Sequence, residues 1–250
     1  MIYTIIITKG DKMTIISENY KFIFIHIPKC GGSSIEREFE KYCKWGDFVI
    51  GSTKNGLKLQ KITFNLYGLG KHTKPKDLKS ILGEKWRQYK KIAIIRHPRK
   101  IIESYYKFGK RRLTEICNNK NVTEHTILQH IQERNTKYVP EWMYLQNRGV
   151  MIDAIIAQDF NEYLSKVCDE RWKEFIHDYV LDEEIDELLH LEDGKGIEAF
   201  FKSIVNDDFQ LLHENISKSE KLIWNDENVN KFKELISDIC SQLGYDFSYS

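Results

Sequence analysis

The sequence predicts an α/β fold, in which a parallel β-sheet is flanked by helices and the C-terminal half is rich in helix. Two short and almost continuous apolar runs, 21–27 and 91–95, suit strands that are buried on both faces. Each run is followed by a turn and then by apolar residues at helical spacing. Strands that alternate with helices in this way are typical of a parallel sheet.

The first unit of this pattern passes from the strand at 21–27 through a glycine turn into a helix, which Ser33 or Ser34 can cap. Between the two units, Thr73 can cap a short helix that ends at Gly83. Its expected inward-facing residues are Leu78, Ile81 and Leu82.

The second unit ends its strand at Arg96-His97-Pro98, and we expect a helix to follow directly. The expected inner residues of that helix are Ile101, Ile102 and Tyr105. The remaining expected elements are helices at 123–134, from 159 onward and at 225–243, and a strand at 152–156.

We expect one domain over the whole chain, 1–250, because this length suffices for a single large core and no stretch changes composition. Residues 1–18 are expected to form an extra or disordered N-terminal segment. Lys and Arg total 38 against 37 Asp and Glu, so the net charge of +1 gives no general attraction to nucleic acid or membranes. Any anion must therefore bind at a local cluster of donors.

The apolar opening at 2–7 is too short for a signal sequence or a membrane span, and it has neither a basic start nor a cleavage site. We therefore expect a cytoplasmic protein without a membrane span. The cysteines form no CxxC pair and have no histidines at metal-ligand spacing, which indicates reduced thiols and no metal site. They are Cys30, Cys43, Cys117, Cys168 and Cys240.

The most informative segment is 26–34, His-Ile-Pro-Lys-Cys-Gly-Gly-Ser-Ser, at the end of the first strand. Gly31 and Gly32 let the backbone approach a ligand closely, and the helix start beyond them offers N–H groups to an anion. Lys29 adds a mobile positive charge, and the two serines add hydroxyl donors. The alternative is an ordinary turn between a strand and a helix, which would also favour Gly and Ser but would not explain a lysine between the proline and the glycines. The segment predicts a phosphate-binding loop, although its lysine precedes the glycines, unlike that of GxxxxGK[ST].

A second anion site is indicated at the end of the second strand. Arg96 offers a guanidinium fork, and Ser104 offers a hydroxyl roughly two turns into the next helix. Alternatively, Arg96 pairs with a carboxylate and Ser104 is a half-buried helix residue. Together with the first loop, the two residues indicate a nucleotide that carries phosphates at both ends.

The run 24–35, FIHIPKCGGSSI, resembles the 5'-phosphosulfate loop FIHIPKTGGTS of the carbohydrate sulfotransferases that use 3'-phosphoadenosine 5'-phosphosulfate (PAPS). Residues 94–98 with 104–106 resemble their 3'-phosphate motif. The segment 71–73 is similar to a His-containing segment of the heparan sulfate 6-O-type enzymes and their bacterial relatives. The chain is thus identified as a bacterial-like member of sulfotransferase family 2, of the heparan sulfate 2-O/6-O type. The similarity extends to 212–218 and 243–247, whereas 107–150 and 178–205 match nothing in the pattern.

This resemblance implies a P-loop-like sulfotransferase fold and in-line transfer of a sulfuryl group from PAPS to a hydroxyl acceptor, expected to be a carbohydrate, without a metal. Lys29 would also stabilise charge on the leaving phosphate. Cys30 stands where the family has threonine, which removes a hydroxyl donor, and Glu103 stands where an apolar residue is common. The residues expected to bind the donor are Pro28, Lys29, Cys30, Gly31, Gly32, Ser33, Ser34, Arg96, Ser104, Asn215, Ser217 and Lys218.

The acceptor hydroxyl needs a base, and His72 is the expected one. The related segment supplies the base in the 6-O-type enzymes, and imidazole titrates near neutral pH. Alternatively, His72 is a solvated loop histidine between Lys71 and Lys74. Glu36, on the helix after the phosphate-binding loop, is the reserve candidate, and His26 is expected to pack at the end of its strand.

Two other functions stay open. An ATP-dependent phosphotransferase could use a glycine loop with lysine, but the GK[ST] order and an acidic partner for magnesium are not found in the sequence. The other is a nucleotide-binding protein that has lost catalytic activity. The presence of Lys29, Arg96 and Ser104 argues against it.

Overall fold

The computed structural model describes residues 14–70, 72–140, 143–144, 149–181, 184–211 and 221–247. The contacts of the chain divide it into two compact units. We call residues 11–97 and 176–219 the sheet unit, and residues 1–10, 98–175 and 220–250 the helical unit. Every strand in the described ranges belongs to the sheet unit. That the chain folds as one domain stays a prediction.

The sheet has five strands in the order β3-β1-β2-β4-β5. The strands are β1 Thr14–Ser17, β2 Phe22–Ile25, β3 Phe48–Ile50, β4 Lys90–Ile95 and β5 Glu187–His190. β2 and β4 run parallel, as predicted, and β5, which was not predicted, runs parallel to β4, whereas β1 is antiparallel to both β2 and β3. The sheet is therefore mixed, and the prediction of a purely parallel sheet is wrong for β1. Only four residues join β1 to β2, and so short a connection allows only an antiparallel pair.

The helices are α1 Gly32–Phe39, α2 Lys54–Tyr67, α3 Pro75–Leu82, α4 Glu84–Gln88, α5 Pro98–Lys120, α6 Glu124–Gln132, α7 Val150–Ile156, α8 Phe160–Val167, α9 Arg171–Ile176, α10 Gly194–Ile204 and α11 Asp226–Gln242. A 3-10 turn at Glu40–Tyr42 follows α1, and a π-helical turn at His177–Leu181 follows α9. Within the described ranges, no helix is both long enough and apolar enough to cross a membrane.

Several predicted elements are confirmed. α5 follows the second strand with its three predicted inner residues fully buried. α6 and α11 lie where helices were expected, and the side chains of Thr123 and Asn225 cap them.

Other predicted elements are wrong. The strand expected at 152–156 is helix α7, whose buried residues Met151, Ala154 and Ile155 follow helical spacing. Thr73 does not cap α3, which begins after Lys74, and Ile81 is 41% exposed rather than inward-facing. Residues 14–17, within the segment expected to be extra or disordered, form the buried strand β1.

The core of the sheet unit is rich in phenylalanine. Phe22 and Phe24 on β2 meet Phe39 of α1 and Phe201 of α10, and Phe209 stacks on Phe201 with ring centroids 5.0 Å apart. These rings fix α1 against the sheet, which holds the loop before α1 at the carboxyl end of β2.

Candidate active site

Four loops of the sheet unit follow strands that run in the same direction, so they meet at one edge of the sheet. The loops are 26–31 after β2, 51–53 after β3, 96–97 after β4 and 191–193 after β5. The Oγ of Ser52 donates to the Oγ of Ser33 at 2.8 Å, and the N–H of His97 donates to the Glu192 carboxylate at 2.9 Å. This edge is where α/β sheets usually bind ligands.

The glycines of the loop predicted to bind phosphate are required by its geometry. Gly31 has a φ of +80°, in the left-handed region that favours glycine. A Cβ on Gly32 would lie 2.7 Å from the Cγ and Cδ2 atoms of the His26 ring, which is closer than a real contact allows. Only glycine at 32 therefore lets α1 begin this close to His26.

The start of α1 has no side-chain cap, which is also true of α3, α4 and α7. Gly31 precedes the helix, no side chain caps it, and its first turn carries no acidic residue. The predicted capping by Ser33 or Ser34 is therefore wrong. By contrast, side chains cap several other helices, namely α2, α6, α8, α10 and α11. The amides and the positive dipole end of α1 thus offer an anion the donors that a side chain satisfies elsewhere.

The two serines at this helix start have different environments. Ser33 is half-buried, and because its oxygen accepts from Ser52, its own hydroxyl proton can be donated to a ligand. Ser34 is buried, and its backbone N–H donates to the Gly31 carbonyl at 3.0 Å. The geometry favours Ser33 over Ser34 as a hydroxyl donor.

The backbone is strained at both residues that the sequence predicts to be catalytic. Among the described residues other than glycine, five have a positive φ, and Lys29 at +67° and His72 at +106° are two of them. Such conformations cost free energy and persist where the surroundings enforce them, which is common at functional sites.

Cys30 faces the interior, which corrects one expectation. Its side chain is 1% exposed, and burial raises the pKa of the thiol to about 12, although Arg96 and Lys29 act in the opposite direction. Its backbone N–H donates to the Ile27 carbonyl at 3.3 Å. A hydroxyl at this position would also point inward, so replacing threonine removes no donor from the loop surface. The side chains of Cys30 and Pro28 are both buried, and that these residues bind the donor stays a prediction.

Arg96 is half-buried at the end of β4 and forms no ion pair with any residue in the described ranges. This favours a role in anion binding over the alternative of pairing with a carboxylate. Ser104 is half-buried on α5, in the helical unit, and its joint role with Arg96 stays a prediction.

Asn215, Ser217 and Lys218 lie outside the described residues. Glu103 accepts from the indole N–H of Trp224 at 3.1 Å, which accounts for a carboxylate at this position.

His72 is held in place by the backbone around it. Its Nδ1 lies 2.8 Å from the His26 carbonyl oxygen, and its own carbonyl accepts from the Tyr179 hydroxyl at 2.8 Å. The Thr73 hydroxyl bonds both the N–H and the carbonyl of Gly70, which closes the turn. A carbonyl oxygen can only accept a hydrogen bond, so the His72 Nδ1 must carry the proton. In the neutral ring, Nε2 is then unprotonated and has a lone pair that can accept a proton. His72 is therefore not the solvated loop histidine of the alternative.

Glu36 is fully buried, and its Oε1 lies 2.6 Å from the Nδ1 of His26. A carboxylate in this position does not face the loop surface, which argues against Glu36 as the base. His26 is buried at the end of its strand, as expected.

Sequence reasoning missed two residues at this edge, Ser52 and Glu192. Ser52 follows the short apolar strand β3 and precedes α2, which Thr53 caps, so the pattern of strand, turn and helix could have identified it. Glu192 follows β5. The four residues of β5 lie in a charged stretch of the sequence and show no apolar pattern that would predict a strand there. In the parts of the chain that the structure describes, no group of three or more His, Cys, Asp or Glu residues could hold a metal.

Comparison with known proteins identifies the family. The family model described as Sulfotransferase family matches residues 12–191, which is well over half of the chain. No curated protein and no solved structure matches significantly. The matched range contains the phosphate-binding loop, His72 and Arg96. The chain therefore belongs to the sulfotransferase family.

Proposed function

We propose that this sulfotransferase transfers a sulfuryl group from PAPS to a hydroxyl of a carbohydrate, as expected from its resemblance to the heparan sulfate 2-O/6-O-type enzymes and their bacterial relatives. The observation that carries the donor assignment is the start of α1. There an uncapped helix with two closely packed glycines lies at the sheet edge that also carries Lys29 and Arg96. These features fit an anion with several phosphate oxygens.

In this proposal the loop binds the 5'-phosphosulfate end of PAPS. The amides of Gly32 and Ser33 and the Ser33 hydroxyl donate to its oxygens, and Ser52 orients that hydroxyl. Arg96 binds the 3'-phosphate, for which a guanidinium fork is well suited. The resemblance adds Ser104 to the 3'-phosphate contacts, and Asn215, Ser217 and Lys218 as residues that close over the nucleotide.

The transfer itself needs a proton acceptor and stabilisation of the leaving group. The sulfur–oxygen bond to the leaving phosphate breaks as a bond from sulfur to the acceptor oxygen forms. The hydroxyl proton passes to the Nε2 of His72, and Lys29 stabilises the charge that develops on the leaving phosphate. The leaving group becomes 3'-phosphoadenosine 5'-phosphate (PAP).

Thermal melting with nucleotides tests the donor assignment. We expect PAP to raise the Tm far more than AMP or ADP does, because a ligand that binds only the native state stabilises it, by about 2.7 kcal/mol at one hundred times its Kd. Arg96→Ala should abolish this preference. Arg87→Ala, which removes an exposed arginine paired with Glu84, is the matched control and should preserve it. Equal shifts with all three nucleotides would contradict the 3'-phosphate assignment.

Labelled PAPS, incubated with a panel of glycans, lipids and small alcohols, tests the reaction. We expect label on a glycan, without any need for magnesium. Transfer that requires ATP and magnesium would favour a phosphotransferase instead. Tight PAP binding without transfer to any acceptor would favour an inactive nucleotide-binding protein.

A further inference from the structure

One buried histidine connects the phosphate-binding loop to the loop that carries His72. His26 lies at the end of β2, 46 residues before His72 in the sequence. Its ring packs against the backbone of Gly32 on one side, and its ring centroid lies 4.7 Å from that of His72, in an edge-to-face arrangement. Its carbonyl accepts the Nδ1 proton of His72. His26 thus contacts both halves of the proposed site.

Glu36 fixes the orientation of the His26 ring. The carboxylate is fully buried, where an ionised group is costly unless it is paired, and its Oε1 lies 2.6 Å from the His26 Nδ1. A contact of this length is typical of a strong, charge-assisted hydrogen bond. Because Glu36 belongs to α1, the same helix that presents its N-terminus to the anion also holds His26.

The His72 turn requires such support. Its φ of +106° is unfavourable for a residue with a Cβ, and the contacts that hold it include the His26 carbonyl on the ring and the Tyr179 hydroxyl on the carbonyl. A base that transfers a proton must present the correct nitrogen in a fixed direction.

We infer that His26, held by Glu36, is a positioning residue: its fixed ring, packed edge to face on His72, holds the backbone carbonyl of residue 26 where it accepts the His72 Nδ1 proton. This keeps His72 in the Nδ1–H tautomer, with Nε2 as the proton acceptor. This inference rests on the proposed function, because it assigns His72 the role of the base. It also makes a statement about the free protein that needs no acceptor to test.

The first test is the tautomer itself. In protein labelled with ¹⁵N-histidine, protonated and unprotonated imidazole nitrogens resonate at different shifts, and the spectrum of His72→Gln assigns the His72 signals. At a pH where His72 is neutral, we expect a protonated Nδ1 and a bare Nε2 in the wild type. A His72 ring protonated on Nε2 would overturn the inference.

The second test compares two replacements of Glu36. Glu36→Gln keeps an oxygen that can accept the His26 Nδ1 proton, so we expect it to retain the His72 tautomer and most of the turnover. Glu36→Leu removes that acceptor, and we expect it to mix the tautomers and lower kcat about ten- to hundredfold, the scale of a misplaced catalytic group. The KM for PAPS and the affinity for PAP should stay close to wild type.

Ser17→Ala is the matched control, because it removes another buried side-chain hydrogen bond, to Asp47, at the opposite end of the sheet. It should change neither the tautomer nor kcat. A folded Glu36→Leu variant with the wild-type tautomer and turnover would overturn the inference. If Glu36→Leu does not fold, Glu36→Met, which also cannot accept the His26 Nδ1 proton, replaces it, and a wild-type tautomer in that variant would overturn the inference. If no acceptor is ever sulfated, the proposed function fails, and the tautomers of these proteins still decide whether His26 positions His72.

Discussion

At the scale of single residues, the site combines favourable chemistry with unfavourable backbone conformations. Lys29 has a φ of +67°, and a left-handed conformation costs a residue with a Cβ about 1–2 kcal/mol. A glycine would adopt this conformation more easily. Lys21 and Arg134 share a left-handed φ, so the conformation alone does not explain the lysine at 29; the proposed reaction gives its charge a role on the leaving phosphate.

Comparing Lys29→Gly with Lys29→Ala separates these two effects. Both variants lose the charge, so both should lower turnover by more than they weaken PAP binding. The glycine variant should be about 1 kcal/mol more stable than the alanine variant in urea denaturation, because it relieves the strained φ.

The control for this comparison is Lys79, an exposed lysine on α3. There the order should be reversed, because glycine within a helix is less stable than alanine by about 1 kcal/mol. A Lys29→Gly variant less stable than Lys29→Ala would show that strain does not limit this position.

The residue types of the candidate site could be predicted from the sequence, but their orientations could not. Lys29, Gly31 and Gly32 are adjacent in the chain, so local spacing was sufficient to indicate an anion-binding turn. The direction of Cys30 depends on the packing of the sheet around it, and the contact of His26 with His72 joins residues that are 46 positions apart. No local pattern contains this information.

At the scale of elements, the start of α1 controls both the anion-binding amides and His26. A Cβ on Gly32 would lie 2.7–2.8 Å from three atoms of the His26 ring, and that ring cannot easily move, because Glu36 holds its Nδ1. Any larger residue at 32 must therefore displace either the helix start or the histidine.

Gly32→Ala should consequently destabilise the protein by about 1–3 kcal/mol, the usual cost of overpacking, and should also weaken PAP binding. Urea denaturation and calorimetric titration with PAP measure the two effects. Thr123→Ala is a suitable comparison, because the loss of this helix cap costs about 1 kcal/mol without altering the phosphate-binding loop. A Gly32→Ala variant that binds PAP as wild type does would contradict the proposed role of the helix start.

The elements that were predicted incorrectly share a physical reason. Residues 152–156 are a short apolar run, which suits a buried strand and a buried helix equally well. Only the packing of α7 in the folded protein determines that these residues form a helix. The four residues of β1, Thr-Ile-Ile-Ser, include three β-branched residues that favour a strand, but they do not indicate that it lies between β2 and β3. The helices α5, α6 and α11 were predictable because their apolar spacing extends over several turns.

At the scale of the whole molecule, several carboxylates of the sheet unit have partners that favour their ionised form. Burial alone would raise the pKa of Asp47, but the N–H groups of Lys44 and Asn19 outweigh it, so that this pKa is lowered. The pKa of Glu84 is lowered by Arg87, and that of Glu184 by Lys79. Groups of this kind favour the folded state while they are ionised, so we expect the molecule to lose stability in acid.

Glu18 is the group for which the pH range of this loss can be stated. Hydrogen bonds from Lys21, then from Lys85 and Tyr89, lower its pKa from 4.5 to about 2. A carboxylate whose pKa is lower in the folded state contributes stability above its unfolded pKa and loses it as the pH falls through the folded value.

We therefore expect the difference in Tm between wild type and Glu18→Gln to be constant above pH 4.5, to shrink below it, and to vanish near pH 2. Melting curves across this pH range measure the Tm difference. A Tm difference that persists unchanged to pH 2 would mean that these hydrogen bonds do not stabilise the ionised form of Glu18.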